Sequence, residues 1–455
     1  MRCALDDYRW LVSPEGRTFL PVSSTGNSPV QAGQTSLSVA AGEASLPARL
    51  RKLLSPQQAR LVREQIELRR RAQEKFPEAG RMFFTAVGLQ QATDAPIAAY
   101  KAARFACGEP VGDLCCGIGG DLLALARRGP VVGIERDPAT ALLAEANLHA
   151  CGIAATGPED RHSCLSDLGR FSPSDSLGPR AGQCGPAAIR VQDVAQISVG
   201  ELAAWHIDPD RRPQGRRTVR LERQEPGLDI IRRLLAENPA GAVKLAPAAQ
   251  VPPDWQAEAE LEWISRAREC RQLVGWFGSL ASHGGARRAT MVRWDVPPGT
   301  SGPSTESAVG AVPHRVVRTI AGKGDEPLPV LDRIGRFLYD PDPAVLGAGL
   351  LGVLAGEHGL AAVAPGSVYL TADRAVADPA VACFEVAEVL PFDLKRVKAA
   401  LRQRGVGRLE IKKRGVKIDP EQVRRRLGLR GEGAAVLVLV RLGRGVAAVL
   451  ARRVA

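Results

Sequence analysis

The sequence predicts an α/β fold that is built on a doubly wound, mostly parallel β-sheet. Short apolar runs alternate with amphipathic stretches through the middle of the chain, and this alternation is typical of β-α-β units. A glycine-rich turn at residues 117–120 lies between the first apolar run and a helical pattern. A helix-rich segment precedes this region, and a small module rich in lysine and arginine follows it.

The strands and helices of the expected sheet follow from the spacing of apolar residues. Strands are predicted over residues 111–115, 131–135, 189–194, 205–209 and 242–246. Helices are predicted in LLALARR after the glycine turn and over residues 138–150 and 227–237. Near the end of the sequence the pattern reads helix, strand, helix, strand, strand, which indicates a second, smaller α/β domain.

Changes in composition divide the chain into domains and linkers. Stretches without periodic hydrophobic residues, rich in Gly, Ser, Pro, Ala or Thr, predict linkers and insertions. The predicted divisions are an N-terminal helical region at 1–100 with a disordered linker near 21–46, a central domain at 101–296 with a disordered insertion at 156–187, a linker at 297–312, a connecting α/β region at 313–390 and a basic domain at 391–455. The insertion carries His162 and Cys164, but no further ligands follow at zinc spacing, so we expect no metal site.

The net charge of +12 is concentrated near one end of the sequence. Residues 395–430 contain 14 Lys or Arg against three acids, a balance of +11. A cationic face of this kind commonly binds the phosphates of nucleic acids, and the candidate contacts are Lys412, Lys413, Arg414, Arg424 and Arg425. The alternative is an ordinary solvated surface in an arginine-rich protein.

Composition also bears on the compartment. No run of about 18 apolar residues occurs, and MRCALDDYRWLV carries charges where a secretory signal is apolar. The nine cysteines lie at scattered spacings without a Cys-x-x-Cys pair, as expected for reduced thiols. We therefore expect a cytoplasmic protein with no membrane partner.

The glycine turn and the acids around it indicate a cofactor site. Asp113 leads into the turn, and Glu135 ends the next strand candidate. Gly117, Gly119 and Gly120 allow the backbone to approach a ligand closely, and a carboxylate such as Glu135 accepts bonds from both hydroxyls of a ribose. The spacing differs from the Gly-x-Gly-x-x-Gly pattern of nicotinamide enzymes. The alternative is that both acids are helix caps or surface charges.

Two longer stretches resemble known families. DLCCGIGGD resembles the S-adenosylmethionine (SAM) loop of class I methyltransferases, and with GIERDPATALLAEANLHACGI it is similar to the RNA cap guanine methyltransferase branch. The segment from RRRAQEKFPEAG through FFTAVGLQQATDAPIAAYKAARF resembles bacterial class I methyltransferases with a THUMP-like C-terminal domain. The resemblance implies a Rossmann-like sheet, SAM as cofactor and RNA as partner.

The resemblance also implies roles for single residues. Asp113 would face the methionine ammonium of SAM, and the backbone of residues 117–120 would hold the methionine end. Glu135 would bind the ribose, and Asp193 would bind the adenine amino group.

The predicted fourth strand ends in HIDPDRR, and this is the candidate substrate loop. Amino-directed nucleic acid methyltransferases carry Asp/Asn-Pro-Pro and an aromatic residue at this point. Here Asp208 and Pro209 match, Asp210 replaces the second proline, and Arg211 replaces the aromatic residue. Arginine stacks on bases or binds phosphate, so we assign Asp208, Pro209 and Arg211 to catalysis and substrate positioning. A structural Asp-Pro turn is the alternative.

The leading hypothesis is a SAM-dependent methyltransferase that modifies a base nitrogen in structured RNA. Carbon-directed RNA methyltransferases need a cysteine beside the substrate loop, and none follows Pro209 or Pro247 closely. Lys244 either lines the substrate side of the pocket or extends out of the sheet. The alternatives are a methyltransferase of a protein or small molecule, and a noncatalytic RNA-binding protein with a degenerate fold.

Overall fold

The computed structural model describes residues 5–21, 53–156, 186–211, 218–294, 314–331, 333–443 and 445–454. The predicted linker at 297–312 lies outside these residues, as does nearly all of the segments 21–46 and 156–187, including His162 and Cys164. None of the helices in the described ranges has both the length and the apolar character that a bilayer crossing requires.

The chain forms two compact units that interleave along the sequence. The first unit comprises Met1–Ala259, Val274–Gly284 and Val292–Arg315, and the second comprises Glu260–Leu273, Gly285–Met291 and Val316–Ala455. The predicted division near residue 296 instead follows the chain. Composition does not reveal that residues 260–273 and 285–291 group with the later part of the sequence, because their pairing partners are distant in the chain.

Helices dominate the start of the first unit. They are α1 Leu5–Val12, α2 Pro14–Arg17, α3 Pro56–Ala72, α4 Ala86–Gln91 and α5 Ala95–Ala102. Helix α3 begins with a capping box in which the Ser55 hydroxyl accepts from the Gln58 backbone and the Gln58 side chain accepts from the Ser55 backbone. Its apolar face, including Leu61 and Leu68, is buried, so this region is an integral layer of the unit.

A parallel sheet forms the core of the first unit. Its strands, in chain order, are β1 Val111–Leu114, β2 Val131–Glu135, β3 Ala155–Thr156, β4 Ala187–Val191, β5 Ala204–Ile207 and β6 Gly241–Leu245. They are arranged β3-β4-β2-β1-β5-β6, and the helices between and after them are α6 Leu122–Ala126, α7 Pro138–Ala150, α8 Leu228–Glu237 and α9 Pro253–Glu258. The predicted α/β class with a Rossmann-like sheet is confirmed.

The register of the central strands determines where the polar residues meet. Strand β1 pairs in parallel with β2 on one side and β5 on the other, and Asp113 lies opposite His206 of β5. All residues of β1 and β5 are buried. Strand order reverses around β1, and ligands of open α/β sheets bind at the carboxyl ends of the strands at such a point.

Two of the predicted strands differ from the observed ones by two or more residues at an end. The third observed long strand, β4, spans Ala187–Val191 rather than 189–194, and β5 ends at Ile207 rather than at residue 209. The last ladder bond beyond β5 runs from the Asp208 N–H to the Leu114 carbonyl at 3.2 Å. Proline has no N–H to continue the ladder, so the chain turns away at Pro209.

The second unit contains the greater part of four strands and a seven-stranded sheet. The four strands are β7 Glu260–Arg266, β8 Glu269–Trp276, β9 Arg287–Trp294 and β10 His314–Gly322, adjacent in the order β10-β9-β7-β8. The seven-stranded sheet has the order β12-β13-β11-β14-β17-β16-β15. Its strands are β11 Phe337–Pro341, β12 Ala361–Ala362, β13 Leu370–Ala372, β14 Val381–Pro391, β15 Val406–Lys413, β16 Gly433–Leu442 and β17 Gly445–Arg453.

Helices α10 Pro343–Ala348, α11 Leu351–His358, α12 Leu394–Gln403 and α13 Pro420–Leu427 complete the second unit. Val397 and Leu401 of α12 and Val423 of α13 pack with Leu437 and Leu450 in one buried cluster. Both helices therefore cover the same face of the sheet and expose their cationic sides. The predicted order of helix, strand, helix, strand, strand is observed from α12 to β17.

A buried acid, Asp340 of β11, pairs with two of the cations that the sequence predicted as nucleic acid contacts. Its Oδ2 accepts from Lys412 Nζ at 3.0 Å, and its Oδ1 accepts from Arg414 Nε at 2.9 Å. The side chain of Asp340 is only 5% exposed. The charges of Lys412 and Arg414 are thus largely compensated within the fold, whereas Lys413 and Arg425 are exposed.

Replacing Asp340 should destabilise the second unit. We expect Asp340→Ala to lower its free energy of unfolding by about 3 kcal/mol, because two cations lose a buried acceptor. Urea denaturation of the full chain followed by circular dichroism measures the change. Glu421→Ala, which removes an exposed partner of Arg424, is the control and should change stability little. Equal effects of the two substitutions would contradict the structural role of Asp340.

Candidate functional site

A cavity of about 1000 Å³ opens in the first unit at the carboxyl ends of the parallel strands. Its wall includes eight of the nine residues that the sequence singled out for cofactor and substrate: Asp113, Gly117, Gly120, Glu135, Asp193, Asp208, Pro209 and Arg211. Gly119 is in the same turn but is not part of the wall. Strands that are distant in sequence thus bring the predicted residues to one place.

The turn between β1 and α6 requires glycine for conformational and steric reasons. Gly119 has φ of +90°, a region that side chains with a Cβ rarely adopt. A Cβ on Gly120 would lie 3.1 Å from the Thr93 nitrogen and 3.2 Å from the Thr93 carbonyl oxygen. The loop therefore packs directly against the backbone that precedes α5.

Glu135 connects this loop to the end of β2. Its Oε2 accepts from the Gly117 N–H at 3.0 Å, and its Oε1 accepts from the Asp137 N–H at 3.0 Å. Burial raises the pKa of Glu135, and these two backbone bonds oppose the rise. Since each carboxylate oxygen has two lone pairs, both oxygens can accept a further bond from a ligand.

Asp193 lies on the wall one strand further along, just after β4. Its Oδ1 accepts from the Ala195 N–H at 2.9 Å and caps a short turn of 3₁₀-helix at Val194–Gln196. One carboxylate oxygen therefore has a structural partner. Asp193 is part of the same cavity wall as Glu135.

A buried polar chain runs beneath the glycine turn. Asp113 Oδ1 lies 2.8 Å from His206 Nδ1, and His206 Nε2 lies 3.1 Å from Lys101 Nζ. Lys101 also forms a 2.7 Å ion pair with Asp121, whose other oxygen accepts from the Thr93 hydroxyl at 2.6 Å. The chain joins β1, β5, α5 and the start of α6.

The electrostatics of this chain follow from burial and pairing. Burial raises the pKa of Asp113, and the hydrogen bond with His206 only partly opposes the rise. Burial also disfavours the charged form of Asp121, but the charges of Lys101, His206 and Lys244 and the hydrogen bond from Lys101 together outweigh it and hold the pKa of Asp121 well below its usual range. Burial lowers the pKa of Lys101, and Asp121 opposes this. Asp113 is thus the less well compensated acid.

Asp208, another acid of the cavity wall, has a buried cationic partner. Lys244 of β6 is only 4% exposed, and its Nζ lies 2.5 Å from Asp208 Oδ2. The same Nζ donates to the Gln91 carbonyl at 3.4 Å, and the Gln91 amide donates to Asp210 Oδ1 at 3.0 Å. Lys244 does not extend out of the sheet. It pairs with the Asp208 carboxylate of the candidate substrate loop, beside the cavity.

Several residues of the site do not appear among the sequence predictions. His206, Lys101 and Asp121 form the buried chain, and Tyr8 and Arg60 of the N-terminal helices contribute to the cavity wall. The available signal was a single polar residue in an apolar run, as His206 is in AWHI and Lys101 is in APIAAYKA. Such residues are costly to bury without partners, so each one implies a partner elsewhere in the fold.

One further group has the residue types of a metal site. Glu357, His358 and Asp378 are the cluster of this kind within the described residues, with ligand atoms within 4.8 Å of one another. The Arg318 guanidinium pairs with Glu357 and, at 3.3 Å, with Asp378. A cation already occupies this position, so the cluster does not resemble a metal centre.

A doubly wound sheet whose central strand leads through an acid into a glycine turn, with a second acid at the end of the next strand, defines a class I SAM-dependent methyltransferase. The relatives agree. Two proteins of Mycobacterium tuberculosis, from strains CDC 1551 and H37Rv, are 33% identical to this chain over 389 residues, which is 83% of the chain and 91% of each relative. Both are named as uncharacterized S-adenosylmethionine-dependent methyltransferases.

Two further likenesses concern the fold and the C-terminal domain. The solved structure of a candidate methyltransferase from Porphyromonas gingivalis W83 matches with a TM-score of 0.62 at 20% identity, covering 88% of this chain and 92% of that one. Residues 381–453 match the family model described as THUMP domain-like. The chain belongs to the family of class I SAM-dependent methyltransferases that carry a C-terminal THUMP-like domain, and SAM is its cofactor.

The cavity fits this cofactor in size and in chemistry. Asp113 is 1% exposed and belongs to the wall, and its Oδ2 has no hydrogen-bond partner among the described residues. A buried carboxylate oxygen without a partner is costly, and a ligand ammonium satisfies it. The methionine part of SAM carries such an ammonium.

Removing the charge of Asp113 should therefore impair cofactor binding. We expect Asp113→Ala to abolish measurable binding of SAM and Asp113→Asn to weaken it at least about tenfold, since a charged hydrogen bond is lost. Isothermal calorimetry with purified protein gives both affinities. Asp229→Asn, an exposed acid of α8 away from the cavity, is the matched control. Wild-type affinity in the Asp113 variants would remove this residue from the cofactor site.

Proposed function

We propose that this methyltransferase transfers the methyl group of SAM to a base nitrogen in structured RNA, and that its THUMP-like domain retains the RNA. The observation that carries the proposal is the exposed cationic surface on α12 and α13 within the segment that matches the THUMP-like family. The chemistry at the cavity supports the choice of nitrogen.

In this proposal the cofactor lies along the carboxyl ends of β1, β2 and β4. Asp113 receives the methionine ammonium, and the backbone of residues 117–120 holds the methionine end. Glu135 accepts from the ribose hydroxyls and Asp193 from the adenine amino group. Bound SAM supplies a sulfonium methyl group for in-line displacement, so the main task of the protein is to align the attacking atom.

Asp208 is the proposed acceptor for the target amine. Its Oδ2 pairs with Lys244 Nζ at 2.5 Å, and carboxylate oxygens have the lone pairs to accept a further bond from an amine. Pro209 turns the chain at the cavity wall. Arg211 is also part of the wall, where a guanidinium stacks on a base or binds a phosphate.

The cysteines of the cavity support nitrogen over carbon as the target. Cys115 and Cys116 are the cysteines of its wall among the described residues. Burial raises the pKa of both thiols well above the ordinary value, and nearby acids, including Asp113 and Glu135, raise it further. A thiol in this state is a poor nucleophile, whereas carbon methylation of pyrimidines proceeds through an attacking thiolate.

The surface proposed for RNA consists of exposed cations on two neighbouring helices, which we call the cationic helix surface. Helix α12 contributes Lys395, Arg396 and Arg402, and α13 contributes Arg424, Arg425 and Arg426. Arg424 pairs with Glu421, and the other acids nearby, Asp393 and Asp419, cap the helix starts. Helices expose such side chains in rows, which suits contact with successive phosphates.

The direct test is transfer of a labelled methyl group from SAM to fractionated cellular RNA, followed by mass spectrometry of the nucleosides. The proposal expects label in structured RNA and a methylated base nitrogen. Comparison of nucleosides from wild-type and deletion strains identifies the same base in cells. Label in protein or in small molecules, with none in RNA, would overturn the RNA assignment and favour the alternative substrate classes.

The role of Asp208 is separable from cofactor binding. We expect Asp208→Asn to lower kcat by about 10²-fold or more, because the amide is a weaker acceptor for the reacting amine. The affinity for SAM and the KM for RNA should change less than about threefold. Steady-state kinetics and calorimetry measure these quantities, and Asp229→Asn is again the control. A change confined to KM would indicate that Asp208 only binds substrate.

The cationic helix surface should control RNA affinity through phosphate contacts. We expect the triple variant Lys395→Glu, Arg425→Glu and Arg426→Glu to weaken RNA binding strongly at low salt, with SAM affinity unchanged. The slope of log K against log salt should become shallower by about 2, because each lost phosphate contact contributes 0.7–0.9. Filter binding over a series of salt concentrations measures the slope.

A control of equal charge change separates this surface from net charge. Arg315→Glu, Lys323→Glu and Arg441→Glu reverse exposed cations outside α12 and α13. This variant should bind RNA nearly as the wild type does. If both triple variants weaken binding equally, the effect is one of net charge and the cationic helix surface is not the RNA site. Lys412 and Arg414 are unsuitable for this test, because their reversal breaks the pairing with Asp340.

A further inference from the structure

The buried chain beneath the glycine turn carries an unbalanced charge. It contains two carboxylates, Asp113 and Asp121, one lysine, Lys101, and one histidine, His206. An ammonium has only donors, so Lys101 donates to His206 Nε2, and His206 Nδ1 then carries the hydrogen that Asp113 Oδ1 accepts. If the proton that Lys101 donates lies on His206 Nε2 instead, the total charge of the chain is the same. With both carboxylates ionised, the chain has a net charge of −1 in either state.

The unbalanced charge lies at the cavity. Asp121 has Lys101 at 2.7 Å and the Thr93 hydroxyl at 2.6 Å, so both of its oxygens have partners. Asp113 has a partner at Oδ1 only, and its Oδ2 has none among the described residues. The oxygen that lacks a partner, Asp113 Oδ2, therefore belongs to a residue of the cavity wall.

We propose that His206 is a positioning residue for the methyl donor: by holding Oδ1 of Asp113, it presents Oδ2 to the ammonium of bound SAM. Lys101 and Asp121 hold the imidazole in turn. The inference rests on the assignment of Asp113 to the ammonium under the proposed function, and it adds the group that orients this carboxylate. The ammonium then completes the charge of the buried chain.

A purely structural role does not explain this arrangement. If the buried ionic chain served only to join β1 to β5 and α5, we would expect all its oxygens to have partners. An unpaired buried oxygen destabilises the fold, and apolar residues would fill the same site without that cost. The chain is instead complete at Asp121 and incomplete at Asp113. Its open end is on the cavity wall, which indicates a ligand.

Three ligands separate the ammonium contact from the rest of cofactor binding. S-adenosylhomocysteine carries both the ammonium and the carboxylate, its decarboxylated analogue keeps the ammonium, and 5′-methylthioadenosine has neither. If His206 acts through Asp113, the variant His206→Leu should weaken the first two ligands about tenfold or more and leave 5′-methylthioadenosine within about twofold. Calorimetry on the full-length protein gives the three affinities.

The variant His206→Asn is the matched partner of His206→Leu. Leucine and asparagine have similar size, but the asparagine amide lies near the former Nδ1 and still donates to Asp113. We expect it to restore most of the affinity for S-adenosylhomocysteine. If His206→Leu does not fold, His206→Gln replaces it, since its amide extends towards Lys101 and away from Asp113. Equal affinities in the Asn and Gln variants would then contradict the proposal.

Two outcomes distinguish failure of this inference from failure of the assignment beneath it. If Asp113→Asn leaves the affinity for S-adenosylhomocysteine unchanged, Asp113 does not bind the ammonium and both ideas fail. If Asp113→Asn weakens it but His206→Leu does not, only the role of His206 is wrong. In the Asp113→Asn background, His206→Leu should have no further effect on the ratio of S-adenosylhomocysteine to 5′-methylthioadenosine affinity.

A structural control completes the design. Asn238 is buried in the same unit and donates to the carbonyls of Val199 and Leu202, away from the cavity. Asn238→Ala should lower the melting temperature of the protein without altering the ratio of its affinities for S-adenosylhomocysteine and 5′-methylthioadenosine. A loss of affinity for 5′-methylthioadenosine equal to that for S-adenosylhomocysteine in His206→Leu would show a general disturbance of the site and overturn the proposal.

Discussion

The hydrogen bond between Asp113 and His206 is the interaction on which the buried polar chain at the candidate cofactor site depends. It lies in the middle of the parallel sheet, between directly paired residues of β1 and β5, where both side chains are 1% exposed. A carboxylate at such a depth is stable only with partners, so His206, Lys101 and Asp121 follow from its presence. The same chain joins α5 and α6 to the sheet and thereby supports the glycine turn above it. The groups that hold this part of the fold together are thus the same groups that we propose for cofactor binding.

The N-terminal helical region is part of the same construction. Asn147 of α7 is fully buried, accepts from the Phe83 N–H at 2.6 Å and donates to the carbonyls of Phe83 and Ile118. Thr93 bonds to Asp121, and its backbone limits position 120 to glycine. These contacts join the segment before β1 to the glycine turn itself. Just after β5, Lys244 pairs with Asp208 in a comparable way, so the two wall acids Asp113 and Asp208 each have a buried partner.

In the second unit, the same principle decides which cations are available to a partner. Asp340 pairs with both Lys412 and Arg414, and Phe384 lies under the Lys412 ammonium at 5.6 Å. The helices α12 and α13 bury their apolar sides and leave their cations in solvent. The local excess of positive charge in the sequence therefore contains two groups of side chains: those paired within the fold, and those exposed on the helices. The exposed group is the one that is accessible to a polyanion.

The sequence by itself determined the α/β class, the glycine turn with an acid on either side, the Asp-Pro turn after the fourth long strand and the basic C-terminal module. These features are local, because strand and helix periodicity, turn glycines and charge runs are all read over a few residues. Only the tertiary structure decided that His206 meets Asp113, 93 residues earlier, and Lys101, 105 residues earlier, that Lys244 holds Asp208, and that Asp340 takes up Lys412 and Arg414. Strand order and register bring these groups together, and neither is encoded in the spacing of residues along one segment. A lone buried lysine or histidine in an apolar run signals that a partner exists, but the partner is known only once the sheet is assembled.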